Sequence, residues 1–436
     1  MAISNLLHKY LALAVTLTPL SVSVLADNNF NANYGTSPAP FQIDVHPSFI
    51  NRTIQKVALT RFTVDVEEPE LASGPPRHNA TTVQDYWLHH YDWFRVQDQL
   101  NQRYHHFTTS VLTGPRSNFT NPVPLHFVHH RSNRTDAIPL LFIHGWPGSF
   151  MEVDHILDGL LNPPNASAPA FHVVAPSIPG FAFSPAPRKA GWGARETGYA
   201  FHALMEQLGY THYVIQGGDF GGVILRYMAG DNPSAVLSVL DNMWIVPPNA
   251  TDLERYSLGL TTADENTTIE TINNFDSENS GYRLIQETKP LQAAIGMTDS
   301  PIGFAMWIFN LMLSAVDHYV WTPSEIITWS MMYYIQGPYG GMRFYKEVLR
   351  EGGFQGFGLG DAYPYVHQPV AISEFPKDIW YGTPLDWARR KGNVVTRNFH
   401  YSGGHFAAVE SPDLLLGDIR AFWGNSSLSN VSLFRS

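Results

Sequence analysis

The sequence predicts an α/β fold: a mostly parallel sheet with helices on both faces, a helical lid inserted into it, and an N-terminal extension. Two observations carry this reading. Between residues 139 and 245, short apolar runs closed by Gly- and Pro-rich turns alternate with helical segments, the pattern of strands buried on both faces. Residues 246–360 then lose that rhythm, and it resumes near residue 369. With 436 residues there is ample chain to bury a large core.

Taken in order, the first 26 residues stand apart. His8 and Lys9 precede a mostly apolar stretch, YLALAVTLTPLSVSVL at 10–25, and Val24-Leu25-Ala26 ends it. About 16 residues with a proline inside fall short of the roughly 20 that span a bilayer, so the stretch reads as a cleaved secretory signal. Residues 27–50 are polar and proline-containing and read as a loose arm. Residues 83–101, VQDYWLHHYDWFRVQDQLN, space their aromatics as one amphipathic helix. Pro139–His144, Phe171–Ala175, His212–Gln216 and Val236–Leu240 are buried strand runs, as are Pro369–Phe375 and Val394–Tyr401. The expected organisation is signal 1–26, extension 27–135, core 136–245, lid 246–360 and core again 361–436.

Composition excludes several functions. Lys and Arg number 27 against 38 Asp and Glu, a net charge of −11. That argues against nucleic acid, whose phosphates need clustered cations. With no cysteine there are no disulfides, thiolate zinc sites or cysteine nucleophiles. Glycosylation sequons occur nine times, at Asn51, Asn79, Asn118, Asn133, Asn165, Asn249, Asn266, Asn425 and Asn430. Together with the leader they predict a secreted, extracellular glycoprotein with no stable membrane anchor.

The sharpest local feature is Gly217-Gly218-Asp219-Phe220-Gly221, set between a buried run and a helical segment. It has the glycine spacing of a nucleophile elbow, with Asp at the reactive position. An Asp helix cap or a phosphate loop are the blander readings. Asp rather than Ser changes the chemistry. A serine attacking an alkyl carbon would form an ether that water cannot easily cleave. A carboxylate forms an ester, whose carbonyl belongs to the protein and can be hydrolysed. The pattern points to an alkylating substrate such as an epoxide or a haloalkane.

Ester hydrolysis needs a base for water. His405, in Ser402-Gly403-Gly404-His405-Phe406, follows the last strand run. An acid to orient it belongs after the preceding strand, where Asp378 stands, with Glu374 as the alternative four residues earlier. Nucleophile, acid, histidine is the chain order of the α/β-hydrolase triad. Backbone N–H groups of Phe220 and of Trp146, in the turn His144-Gly145-Trp146-Pro147, are the expected oxyanion donors. The pairs His89-His90, His105-His106 and His129-His130 suggest a metal, but neighbouring residues point apart on a strand and do not share a helix face. Neither a metal nor an organic cofactor is expected.

Five motifs in order, HGWPGS at 144–149, SIPGFAFS at 177–184, GGDFG at 217–221, RFYKE at 343–347 and GGHFAA at 403–408, resemble microsomal-type epoxide hydrolases. The resemblance runs from about residue 40 to 420 and takes in YW at 86–87, DW at 92–93 and HFVHHRS at 126–132. It implies an α/β-hydrolase core with a helical lid and an N-terminal extension wrapped outside. It also implies two lid tyrosines, Tyr282 and Tyr345, as donors to the epoxide oxygen. Phe220 departs from the Trp expected after the nucleophile, and Gly222 from a small Ser. The expected reaction adds water to a small-molecule epoxide to give a vicinal diol. A haloalkane dehalogenase and a non-catalytic binding protein on the same fold are the alternatives.

Overall fold

The computed structural model describes residues 29–69, 71–353 and 363–434, so the leader at 1–26 lies outside the described residues. Nine strands form one sheet. They are β1 Ala39–Pro40, β2 His106–Val111, β3 Val123–His130, β4 Ile138–Ile143, β5 Phe171–Pro176, β6 Tyr213–Gly217, β7 Val236–Asp241, β8 Val366–Glu374 and β9 Gly392–Phe399. Their spatial order is β1-β2-β3-β5-β4-β6-β7-β8-β9. From β5 to β9 neighbours run parallel, and β1, β2 and β3 continue the sheet antiparallel. Every residue of β4, β6 and β7 is buried, which is why these strands read as mostly apolar runs.

The register places the site. Ile143 of β4 pairs with Gly217 of β6, and Gly217 with Asp241 of β7, so the carboxyl ends of the central strands finish level. The turns that follow them open onto one edge of the sheet, where parallel α/β folds hold their ligands. Between β7 and β8, the described residues hold helices and no strand, from Ala250–Ser257 to Tyr339–Arg350.

Two expectations for the N-terminal part are corrected. The arm is not loose: Phe30, Phe41, Ile43 and Val45 are buried. Asn101 brackets Ile43 by accepting its N–H at 2.8 Å and donating to its carbonyl at 2.9 Å, and Gln97 accepts the N–H of Val45 at 2.9 Å. Four apolar side chains, spaced among polar residues that face out, are enough to seat it. The segment 83–101 is two helices, Arg77–His89 and Trp93–Arg103. Asp92 breaks them, its carboxylate accepting the N–H of Phe94 at 2.9 Å and of Arg95 at 3.4 Å, as an N-cap does. Among the described residues no helix is long and apolar enough to cross a membrane.

Candidate active site

Asp219 joins β6 to the helix Phe220–Asp231. Its backbone sits at φ 51° and ψ −126°, a region that non-glycine residues rarely enter. Helix and sheet must nearly touch here. A Cβ on Gly221 would lie 2.0 Å from the carbonyl oxygen of Ile143, so only glycine fits. The Asp219 side chain makes no capping bond to the second or third N–H of the helix it precedes, which removes the reading as an Asp cap. Oδ1 instead accepts the N–H of Trp146 at 2.7 Å, and the N–H of Phe220 supports the same carboxylate. Burial raises the Asp219 pKa, while the His405 charge and the two backbone donors oppose that rise.

His405 stands in the turn after β9. Its Nδ1 is 2.8 Å from Oδ2 of Asp378, and its Nε2 is 3.9 Å from Oδ2 of Asp219. Asp378 is fixed in turn by the N–H of Trp380, which donates to Oδ1 at 2.9 Å. Burial pulls the His405 pKa down, but the Asp378 hydrogen bond and the charges of Asp378, Asp219 and Glu152 prevail and lift it to about 9. The alternative acid, Glu374, lies elsewhere: it holds Arg397 at 2.5 and 3.0 Å and accepts the N–H of Gly382 at 2.7 Å.

A cavity of about 180 Å³ opens over Asp219. Trp146, Pro147, Met243, Tyr282, Leu311, Ile379, His405 and Phe406 are among the residues that line it. Tyr282 faces this space. Tyr345 stands behind it, the two rings edge to face at 5.9 Å, and its hydroxyl interacts with that of Tyr282. Burial raises both phenols well above their ordinary value, so both stay protonated donors near neutrality. The Phe220 ring is buried against Phe344 at 4.7 Å and Tyr345 at 4.6 Å, filling space without a side-chain donor. A Cβ at Gly222 would come within 2.9 Å of the Asp241 carboxylate, so a serine there would press on it.

Sequence reasoning passed over some of what surrounds the site. Thr271, Asn274 and Asn279 of the lid and Lys377 also line the cavity, and none carries a motif. Glu152, close enough to influence both Asp219 and His405, had a faint signal as an acid within GSFME at 148–152. Among the described residues no three His, Asp or Glu side chains gather as a metal would need. His106 Nδ1 meets His126 Nε2 at 2.9 Å and His105 stacks on His130 at 4.5 Å, whereas His89 and His90 are exposed.

A strained acidic elbow, a histidine–aspartate pair and two converging backbone donors on a parallel sheet define an α/β-hydrolase. Comparison with known proteins refines this. Residues 38–153 match the family model "Epoxide hydrolase N terminus" and residues 138–256 match "alpha/beta hydrolase fold". Epoxide hydrolase 1 of Sus scrofa is 30% identical over 414 residues, with 88% of each chain covered. Juvenile hormone epoxide hydrolase 2 of Ctenocephalides felis is 29% identical over 409 residues, covering 88% of this chain and 85% of that one. Among solved structures, the Aspergillus niger epoxide hydrolase superposes with a TM-score of 0.74 at 28% identity, covering 91% of this chain and 98% of that one. The juvenile hormone epoxide hydrolase of Bombyx mori gives 0.78 at 25%, covering 92% and 96%. The chain belongs to the epoxide hydrolase family and is a hydrolase of the α/β-hydrolase fold.

Proposed function

We propose that the protein opens a small-molecule epoxide through a covalent ester on Asp219. The observation that carries this is the placement of Asp219 Oδ1 on the Trp146 N–H, 2.7 Å away, with Oδ2 turned toward His405. One oxygen is held where an oxyanion will form, and the other is free to attack. Oδ2 attacks a ring carbon and the C–O bond of the epoxide breaks. Tyr282, with Tyr345 behind it, gives a proton to the departing oxygen. The resulting tyrosinate recovers its proton from His405, which starts protonated, and this frees the imidazole as a base.

Water then adds to Cγ of Asp219 and passes a proton to Nε2 of His405. The charge that develops on Oδ1 is held by the N–H groups of Trp146 and Phe220. Collapse breaks the bond to the alkyl oxygen, which takes that proton and leaves as a diol. Asp219 remains as its acid and returns the last proton to His405. Atoms balance to epoxide plus water. The test is many turnovers in oxygen-18 water followed by mass analysis of the peptide bearing Asp219. The carboxylate is expected to gain label, and a fragment that stays light while diol accumulates would overturn the ester.

We propose further that the protein is exported and glycosylated. Seven of the nine sequon asparagines are exposed, namely Asn51, Asn118, Asn133, Asn165, Asn249, Asn425 and Asn430. Asn79 and Asn266 are half-buried. This supports glycans on the first seven and disfavours the last two.

A further inference from the structure

A second, much smaller void shares Asp219 and His405 with the substrate cavity. It leaves about 10 Å³ for the centre of a water-sized sphere, room for one water molecule and little more. Its walls include Asp219, His405, Glu152, Gln216 and Asn242. Apolar voids of this size stay dry, but this one is polar. Gln216 is 2% exposed, and it gives its amide to Asn242 at 2.8 Å while its Oε1 has no partner. A buried acceptor left open in this way calls for a donor.

Glu152 is enclosed by protein yet keeps accessible surface, as a side chain facing an internal void does. The fold makes room for it by omission. A Cβ on Gly148 would fall 1.5 Å from Glu152 Oε1, so the carboxylate occupies the place a side chain at 148 would take. The Gly145 N–H supports it.

The geometry points to this void as the seat of the hydrolytic water, with Glu152 as the residue that holds it for attack on Cγ of Asp219. The inference rests on the ester reading above. A water seated there touches the nucleophile and the base together, and its second hydrogen has Glu152 to donate to. Gln216 stands as a further acceptor. Burial pushes the Glu152 carboxyl up to about 8, His405 pulling it down and Asp219 pushing it further. Glu152 lines the small void and is not among the residues lining the substrate cavity.

Rapid-mixing single turnovers, with the ester followed by intact mass, separate the two steps in E152Q and E152L. Ester formation is expected to keep its wild-type rate. Hydrolysis is expected to slow roughly tenfold in E152Q, and about a hundredfold in E152L, whose methyl groups also fill the void. The assignment fails if the ester decays at the wild-type rate in both. It fails equally if both steps slow together, which is what a mere prop beneath the Trp146 turn would produce. If E152L does not fold, E152Q decides. H405Q is the control: an ester trapped there with unaltered decay in the Glu152 variants removes only this inference, whereas no ester in H405Q removes the covalent reading as well.

Discussion

Two carboxylates four residues apart, Glu374 and Asp378, have opposite employment. Glu374 neutralises a nearly buried arginine, whereas Asp378 orients His405. D378N is expected to lower turnover roughly a thousandfold or more, because an amide cannot hold the imidazole in the tautomer a base requires. E374Q should leave chemistry nearly intact and cost about 3 kcal/mol of stability, by stranding the Arg397 charge. Turnover and melting temperature measured on both variants check the pair. D378N should also alter the alkaline limb of stability. The raised His405 pKa contributes stability that is complete below 6.5 and lost as pH rises through about 9. Without its main partner, that loss shrinks.

At the scale of elements, what the sequence disclosed depended on burial. β4, β6 and β7 announce themselves because both faces are covered and nearly every position is apolar, with Gln216, Ser238 and Asp241 as the exceptions. β2 and β3 carry His106, His126, His129 and His130, and polar residues there hid two strands that are almost wholly buried. The break at Asp92 leaves no mark in the aromatic spacing, which runs on across the cap. At the site, Asp219 and His405 were legible from glycine spacing and chain order. Glu374 and Asp378 could not be separated, since only the turn after β8 decides which carboxylate reaches the ring. The lid tyrosines came from resemblance alone, because a hydroxyl pair made by two distant helices leaves no local pattern.

The buried histidines of those strands have a measurable effect. Burial lowers His106 and His130 to about 4 and His129 to about 3. Such groups are neutral in both states above 6.5. Between 6.5 and about 4 the unfolded chain binds protons that the native state refuses, so their contribution is lost as pH falls through that window. H129Q should reduce the dependence of unfolding free energy on pH there by up to about 1.4 kcal/mol per pH unit. Urea titrations at a series of pH values would show it.

At the scale of the whole molecule, the N-terminal arm fastens parts that are far apart in sequence. Phe30 and Phe41 pack on Phe183 at 5.3 and 5.6 Å, Asn29 donates to the Ile335 carbonyl at 2.7 Å, and Lys56 pairs with Asp299. Core and lid are thus held by a common strap. F41A is expected to cost about 3–5 kcal/mol and to loosen residues near 183 and 335 in the same event. Hydrogen exchange on both segments tests this; protection lost at only one would argue against a shared strap.

The twisted backbone under residue 219 has a last consequence. Elsewhere in a protein, alanine is the sturdier choice over glycine, because glycine surrenders more freedom on folding. Here the order should invert. D219A and D219G lose the same carboxylate, but only glycine is at ease at that dihedral, so D219G should outlast D219A on heating by about 1 kcal/mol or more. The molecule evidently tolerates an uncomfortable posture at one point in order to keep its reactive group aimed, and giving up the reaction would let it relax.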